Sequence, residues 1–265
     1  MPAFKNFYIM IIDTHTHLYV EEFDTDYKEV IQRAIDYGVE KFFLPAIDST
    51  YTERMFRLQK EYPEHMYLMN GLHPCSVKEN WQEEIAKVNA LVSAHSKDFY
   101  AIGEIGIDLY WDKTFLEAQK EAFALQIRLA KEYHLPIVIH CREAFEETFE
   151  VLEKEKSDDL FGIFHCFTGN KEQALRAISF GLKLGIGGVV TFKNGKIDTF
   201  LKEIPLEHLV LETDAPYLAP VPFRGKRNES SYLIYIIKKL AEIYNISENE
   251  IIKRTTNNAL EIFKP

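Results

Sequence analysis

Two histidines separated by a single threonine, His15 and His17, follow the first strongly apolar stretch of the chain. Side chains two positions apart on an extended backbone point to the same side, so both imidazoles can contact one divalent ion. Imidazole binds zinc, nickel, iron and copper alike, and the pair therefore does not select the metal. By itself the pattern more often marks two polar residues that cap the end of a strand.

Residues with similar chemistry recur at the ends of later apolar stretches. Five of these stretches end in a residue that can bind a metal or a proton, namely His73, Glu104, His140, His165 and Asp214. One histidine or carboxylate of this kind is usually a hydrogen-bonded structural group. Because six of the eight predicted strand ends carry one, the pattern favours a common site over six separate structural roles.

The elements that must position these residues are eight short apolar runs, which alternate with polar loops and stretches of helical periodicity. The runs cover residues 8–13, 41–46, 66–73, 99–104, 136–140, 162–165, 182–187 and 209–214. They recur roughly every 30 residues, the length of one βα unit. Eight such units predict a (β/α)8 TIM barrel rather than an open sheet, and active sites of these barrels lie at the carboxyl ends of the strands.

The intervening segments agree with a barrel. Residues 114–133 place apolar side chains at spacings of three and four, which predicts an amphipathic helix that ends before Pro136. Residues 230–244 and 248–263 are predicted to be closing helices after the eighth strand. Since no linker-like composition interrupts the chain, we expect residues 1–265 to form a single domain.

Composition and charge narrow the function classes. The chain has 265 residues, 46% of them hydrophobic and 27% charged, which excludes a disordered or low-complexity protein. The formal net charge of −10 excludes a uniformly basic protein that coats nucleic acid, although not a local basic patch. Three cysteines, no long apolar run and no signal-peptide core in residues 1–8 predict a soluble, cytoplasmic protein that does not contact membranes.

The number of candidate ligands predicts two metal ions. A catalytic zinc takes about three protein ligands, whereas five residues plus a bridging Glu104 are present here. Two divalent ions that share a carboxylate would use the whole set. With charges of +4 from the ions and −2 from Glu104 and Asp214, such a site is locally positive and suited to an anionic substrate.

Seven motifs in a fixed order carry a family resemblance over essentially the whole chain. They are Asp13-Thr-His-Thr-His17, Gly71-Leu-His-Pro74, Gly103-Glu-Ile-Gly-Ile-Asp108, Ile139-His-Cys-Arg142, His165-Cys-Phe-Thr-Gly169, Glu212-Thr-Asp-Ala-Pro-Tyr-Leu-Ala-Pro220 and Arg224-Gly-Lys-Arg-Asn-Glu229. The chain resembles the TatD family of metal-dependent deoxyribonucleases, within the amidohydrolase superfamily of barrels. It departs from the family at Ser230, where proline is frequent, and at Glu143, where aspartate is common. Both positions could alter the substrate rim.

The resemblance implies a division of the ligands between two divalent ions of undetermined identity (Mg, Zn, Mn, Ni or Fe). One ion is held by His15, His17, Glu104 and Asp214, and the other by Glu104, His140 and His165. It also implies hydrolysis of DNA phosphodiesters. Glu104, which would bridge the two ions, and Asp214 are the predicted catalytic residues.

Four further residues are candidates for substrate binding. They are His73, Arg142, Arg224 and Arg227. His73 is predicted either to contact a phosphate or to hydrogen-bond behind the ligands. Arg142 is predicted either to bind phosphate or to pair with a surface glutamate. The loop that contains Arg224 and Arg227 is predicted either to contact phosphate or to be an ordinary solvated turn. Cys141 and Cys166 are predicted to be small core residues in the barrel wall.

Together with the family resemblance, these residues predict a phosphodiesterase in which two metals activate a water that attacks DNA, exonucleolytically at ends or on single strands. Asp214 would accept the proton of the water. The alternative is a metal-dependent amidohydrolase that acts on a small amide, ester or lactone, which the net charge of −10 slightly favours. The basic loop, and a bridging glutamate where such a hydrolase would have a bridging lysine, argue against that alternative. A non-catalytic scaffold fits poorly with a complete ligand set.

Overall fold

The computed structural model describes residues 10–265, in which eight parallel strands form one sheet in chain order. The strands are β1 (Ile11–Asp13), β2 (Val39–Leu44), β3 (Met66–Asn70), β4 (Phe99–Asp108), β5 (Ile137–Arg142), β6 (Gly162–Phe164), β7 (Leu182–Ile186) and β8 (Leu209–Leu211). The ring closes just beyond β1 and β8, where Thr14 donates its backbone N–H to Leu211 and Asp214 donates to His15. The predicted (β/α)8 TIM barrel is confirmed.

Helices cover the outside of the sheet. They are α1 (Tyr27–Asp36), α2 (Thr52–Glu61), α3 (Trp81–Ala94), α4 (Leu116–Glu132), α5 (Phe145–Lys154), α6 (Lys171–Ser179), α7 (Leu233–Tyr244) and α8 (Glu248–Phe263). Six follow β1 to β6 in turn, and two follow β8. Within residues 10–265, no helix has the length and apolar character needed to cross a bilayer.

One connection differs from the regular repeat that the sequence predicts. Between β7 and β8 the described chain forms short 3-10 turns instead of an α-helix. This segment packs its backbone closely against the loop after β8, since a Cβ atom on Gly188 would lie 2.0 Å from the carbonyl oxygen of Leu218. The eighth unit compensates for the missing helix by contributing both α7 and α8.

Several strand ends also differ from the predicted runs. The run 99–104 continues as a strand to Asp108 and the run 136–140 continues to Arg142, whereas the run 209–214 is a strand only to Leu211. The run 66–73 ends as a strand at Asn70. Positions 8 and 9 of the first run lie outside the described residues. These differences arise because a strand extends only as far as the adjacent strand forms hydrogen bonds with it. An apolar sequence pattern does not show where that pairing ends.

The core has two layers, one inside the barrel and one between the strands and the helices. The inner layer includes Ile12, Phe43 and Val138 from the strands. Phe263 of α8 stacks on Phe43 with 3.8 Å between ring centroids, and Phe43 packs on Tyr67 and Tyr100, the second residues of β3 and β4, at the amino ends of these strands. Apolar packing therefore closes that end of the barrel, and the carboxyl ends of the strands are left for polar side chains.

Candidate functional site

A cavity of about 900 Å³ lies at the carboxyl ends of the strands. It is lined by most of the residues that the sequence predicts for the site, namely His17, His73, Glu104, His140, Arg142, His165, Asp214 and Arg224. His15 is fully buried beside it, with its ring stacked on that of His165 at a centroid distance of 3.5 Å. Parallel strands explain this convergence, because all of their carboxyl ends meet at one rim.

A first group of four donor atoms surrounds one point. Nε2 of His15 and Nε2 of His17 are 3.3 Å apart. Oε2 of Glu104 lies 3.1 Å and 3.7 Å from these two nitrogens, and Oδ1 of Asp214 lies 3.8 Å and 3.5 Å from them. Bonds of about 2.1 Å to one ion would separate its ligand atoms by about 3.0–3.4 Å. The nitrogen and oxygen donors therefore fit a divalent metal.

The other oxygen of Glu104 faces a second group. Oε1 lies 2.7 Å from Nδ1 of His140 and 3.5 Å from Nε2 of His165. Glu104 is placed between the groups because β4 has a bulge at this residue, where its pairing with β5 shifts between Gly103 and Ile105. A bulge re-aims a side chain relative to the regular alternation of the strand. One buried carboxylate thus contacts both groups.

The pKa values reflect this crowding of histidines and carboxylates. Burial opposes ionisation of Glu104, but the charges of His15 and His165 hold the pKa of its carboxyl well below the usual range. Burial likewise lowers the pKa of His140, yet hydrogen bonds to Asp108 and Glu104 raise it to about 9. A metal ion bound here would replace the protons on these histidines, because a metal and a proton bind to the same lone pairs of the imidazole nitrogens.

Tyr19 orients His17 from behind the site. The Tyr19 hydroxyl donates to the carbonyl of Pro45, so its oxygen can only accept from Nδ1 of His17, 2.9 Å away. The proton of neutral His17 is therefore on Nδ1, and Nε2 keeps its lone pair towards the first group. Partners of this kind fix the tautomer of ligand histidines in metal sites. The sequence analysis did not identify Tyr19.

Asp108 and Glu212 contact the histidines of the second group. Oδ2 of Asp108 lies 2.8 Å from Nε2 of His140, and Oε1 of Glu212 lies 3.0 Å from Nδ1 of His165. Glu212 fits because β7 has Gly185 opposite it, where a Cβ atom would lie 2.1 Å from Oε2 of Glu212. Both carboxylates stand in the quoted motifs, but the prediction that the strand ended at Glu104 left Asp108 out of the site.

These two carboxylates change the charge balance of the site. Counted formally with Glu104 and Asp214, they bring the carboxylate charge to −4, which equals the +4 of two divalent ions. The prediction of a locally positive centre counted two carboxylates alone. Attraction of an anionic substrate must come from open metal positions and from basic side chains at the rim.

His73 lies beyond the end of β3, where it caps the 3-10 turn Pro74–Ser76. Its Nδ1 accepts a hydrogen bond of 3.0 Å from the backbone N–H of Cys75. The proton of the neutral ring is then on Nε2, which lies 3.5 Å from Oε1 of Glu104. His73 consequently presents a hydrogen-bond donor to the cavity rather than a lone pair for a metal.

The basic residues separate into two groups. Arg142 and Arg224 are exposed side chains that line the cavity, and Lys226 lines it beside them. Arg227 instead makes two hydrogen bonds to the carboxylate of Asp26, at 2.8 Å and 2.6 Å. The structure thus brings Arg224 to the cavity but engages Arg227 with an acidic partner.

The two cysteines that follow ligand histidines have different surroundings. Cys141 is buried in the core, as predicted. Cys166 lines the cavity, with its sulfur within 4.8 Å of ligand atoms of His165 and Asp214. The expectation that both cysteines lie in the barrel wall is therefore wrong for Cys166. Its backbone has a positive φ of 43°, which departs from the alternation of a strand.

The family model described as "TatD related DNase" matches residues 12–264. The chain belongs to the TatD family. This match runs from β1 to the end of α8, so the seven motifs and all of the candidate metal ligands lie within it.

Relatives of this TatD-family chain are similar over nearly their whole length. The uncharacterized metal-dependent hydrolase YabD of Bacillus subtilis (strain 168) is 43% identical over 256 residues, which cover 96% of this chain and 99% of YabD. The 3'-5' ssDNA/RNA exonuclease TatD of Yersinia pseudotuberculosis serotype O:3 (strain YPIII) is 31% identical, with coverages of 96% and 99%. The crystal structure of YjjV, a TatD homologue from Escherichia coli K12, superposes with a TM-score of 0.91 at 29% identity, covering 98% of this chain and 100% of YjjV. The chain is therefore a metal-dependent hydrolase of the TatD family.

Proposed function

We propose that this TatD-family hydrolase is a two-metal phosphodiesterase that acts on DNA, exonucleolytically at ends or on single strands. The observation that carries the proposal is the position of Glu104, whose two oxygens face two separate groups of donor atoms. Divalent ions held there would polarise a phosphoryl oxygen and make a water ligand acidic. The name of the Yersinia relative, an ssDNA/RNA exonuclease, supports a nucleic-acid substrate.

Asp214 is the proton acceptor in this proposal. Burial by itself would raise the pKa of the Asp214 carboxyl. The positive charge of His165 and the hydrogen bond with His17 outweigh burial and lower that pKa below its ordinary value. Asp214 is therefore ionised at neutral pH and can take the proton of the attacking water. The oxygen of that water forms a bond to phosphorus while the bond from phosphorus to the departing sugar oxygen breaks. Solvent supplies the proton for the departing oxygen.

Three side chains hold the phosphate during this step. Nε2–H of His73 donates to a phosphoryl oxygen, since its Nδ1 is already engaged by Cys75. Arg142 and Arg224 contact phosphates at the rim, where the guanidinium group matches the geometry of two phosphate oxygens. These donors supply the attraction for an anion that the balanced charges of the metal centre do not.

A metal-resolved hydrolysis screen tests the proposal. The protein, stripped with chelator and reloaded with one divalent ion at a time, is offered single-stranded DNA beside small amides, esters and lactones. We expect release of nucleotides from DNA in at least one metal and no release by Glu104→Ala. Hydrolysis of an amide, ester or lactone that Glu104→Ala abolishes, with DNA untouched, would instead establish the small-molecule amidohydrolase.

A further inference from the structure

Trp111 is the most exposed of the large apolar side chains in residues 10–265, with 71% of its surface accessible. Burial of an aromatic ring of this size is strongly favourable, and an exposed tryptophan that adjoins other exposed apolar side chains marks a candidate binding surface. Seven large apolar side chains of the described residues are exposed, and three of them, Trp111, Tyr217 and Leu218, line the cavity. The most exposed large apolar side chain therefore lies at the cavity, together with two others.

Trp111 belongs to a small cluster, here called the aromatic rim, that consists of Tyr110, Trp111 and Arg142. The rings of Tyr110 and Trp111 meet edge to face, with 4.8 Å between centroids and 88° between planes. The guanidinium of Arg142 lies 3.6 Å from the centroid of Tyr110 and 5.5 Å from that of Trp111. Stacking on Tyr110 orients a long, flexible side chain and leaves its N–H groups available.

The aromatic rim is tied to the metal centre through Asp108. The backbone N–H groups of Tyr110 and Trp111 donate to Oδ1 of Asp108, at 2.9 Å and 3.3 Å. Oδ2 of the same carboxylate lies 2.8 Å from Nε2 of His140. One side chain therefore holds both the rim and a candidate metal ligand, so the rim lies beside the candidate metal centre.

Three basic side chains line the cavity at the aromatic rim and at the loop after β8. Arg142 is part of the aromatic rim, and Arg224 stacks on Phe192 with 3.7 Å between its guanidinium and the ring centroid. Lys226 lines the cavity two residues later. An exposed aromatic surface combined with oriented cations is the arrangement that binds an unpaired nucleotide, since the base stacks and the phosphate pairs.

We propose that the aromatic rim is a stacking subsite for an unpaired nucleobase of the substrate, with Trp111 as the stacking surface and Arg142 as the phosphate contact. The inference rests on the proposed phosphodiesterase function and specifies how that site selects its substrate. Bases in a duplex are already stacked on one another, whereas an unpaired base offers its face to an indole. The subsite therefore favours single strands and is indifferent to base identity.

Hydrolysis kinetics of the metal-loaded enzyme test the subsite. The two substrates are a short oligothymidylate and an oligonucleotide of the same length in which all sugars are abasic, so that only the bases differ. We expect Trp111→Ala to raise the KM for oligothymidylate about 5- to 150-fold, the usual worth of stacking one base, with kcat nearly unchanged. The KM for the abasic oligonucleotide should be high in the wild type and unaffected by the substitution.

Tyr37→Ala is the matched control. Tyr37 is also an exposed aromatic residue, but it follows the carboxyl end of α1, where the chain leads into the start of β2 and away from the cavity. This variant should leave both KM values unchanged. Equal KM values for the two oligonucleotides, or an equal rise of both in Trp111→Ala, would overturn the subsite and leave the phosphodiesterase proposal standing.

Fluorescence supplies a readout that does not need turnover. The chain contains two tryptophans, and Trp81 is buried in α3, so quenching by added oligothymidylate in the presence of chelator reports on Trp111. Quenching should occur with oligothymidylate, be weak with the abasic oligonucleotide and disappear in Trp111→Phe. If neither oligonucleotide is hydrolysed, the phosphodiesterase proposal fails, and absence of quenching by oligothymidylate then overturns the subsite as well.

Discussion

The hydroxyl oxygen of Tyr19 lies 2.9 Å from Nδ1 of His17 and has already given its proton to the carbonyl of Pro45. This contact decides which nitrogen of His17 is free to bind a metal. Tyr19 stands outside the seven motifs, yet it holds a candidate metal ligand in place. An imidazole can rotate or change tautomer unless its other nitrogen is hydrogen-bonded.

Removal of that contact should weaken metal binding without unfolding the barrel. For Tyr19→Phe we expect metal affinity to fall about 10- to 100-fold, as measured by competition with a chromophoric chelator. Tyr27→Phe, which removes a surface hydrogen bond to Glu61, is the control and should bind metal normally. Unchanged affinity in Tyr19→Phe would show that His17 is positioned by its backbone alone.

Glu104→Ala should abolish hydrolysis and reduce bound metal, because both donor groups lose their common carboxylate. Metal content and circular dichroism should be measured on the same sample, and the spectrum should stay that of the wild type. Glu84→Ala, which removes a buried carboxylate of α3, serves as the control and should retain metal and turnover. A fully active Glu104→Ala protein with a native spectrum would remove Glu104 from the mechanism.

Asp214→Asn tests whether this residue is a proton acceptor or only a ligand. The amide keeps the shape and one coordinating oxygen but loses charge and basicity, so turnover should fall by about 10²–10⁴ with at least one ion still bound. Metal content and kcat should be followed from pH 5 to pH 9. Loss of all metal would recast Asp214 as a ligand alone, and near-normal turnover would exclude it from proton transfer.

The two arginines of the loop after β8 should respond differently to neutralisation. Arg224→Gln is expected to raise the KM for single-stranded DNA and to reduce the salt dependence of binding by about 0.7 log–log unit per lost phosphate contact. Arg227→Gln should leave the KM nearly unchanged, since its guanidinium is paired with Asp26. Equal effects of the two substitutions would show that Arg227 leaves Asp26 when DNA binds.

The pair of Arg227 and Asp26 should have a pH-dependent effect on stability. The hydrogen bond from Arg227 outweighs burial and holds the pKa of the Asp26 carboxyl below its ordinary value. The stabilisation is therefore present above the ordinary pKa and is lost as the pH falls through the lowered one. Arg227→Gln should cost about 0.5–1 kcal/mol in the free energy of unfolding at pH 7, a modest value because both side chains are partly exposed. Urea denaturation at pH 7 and pH 2.5 should show the difference shrink; a constant difference would contradict the pairing.

Much of the site follows from local chemistry that the chain displays by itself. Alternation of apolar runs with helical periodicity predicts the barrel, because each βα unit must bury its own apolar face against its neighbours. His17 and Asp214 could be predicted as site residues because parallel strands in such a barrel bring their carboxyl ends to one rim. The motifs also indicate the family, because their residue types and their order can be read directly from the sequence.

Other features depend on how distant segments meet, and only the tertiary structure decided them. The bulge that turns Glu104 between two donor groups arises from the register of β4 against β5, which no pattern within β4 encodes. Arg227 has the residue type of a phosphate ligand, yet Asp26, about two hundred positions away, takes up its guanidinium. Asp108 accepts the backbone N–H of Trp111, and it is itself held by His140 of β5, 32 positions further along the chain. In each case the position of a side chain is decided by a hydrogen-bond partner that is distant in the chain. A hydrogen bond contributes to stability only once both partners have been brought together, so a local sequence pattern cannot reveal it.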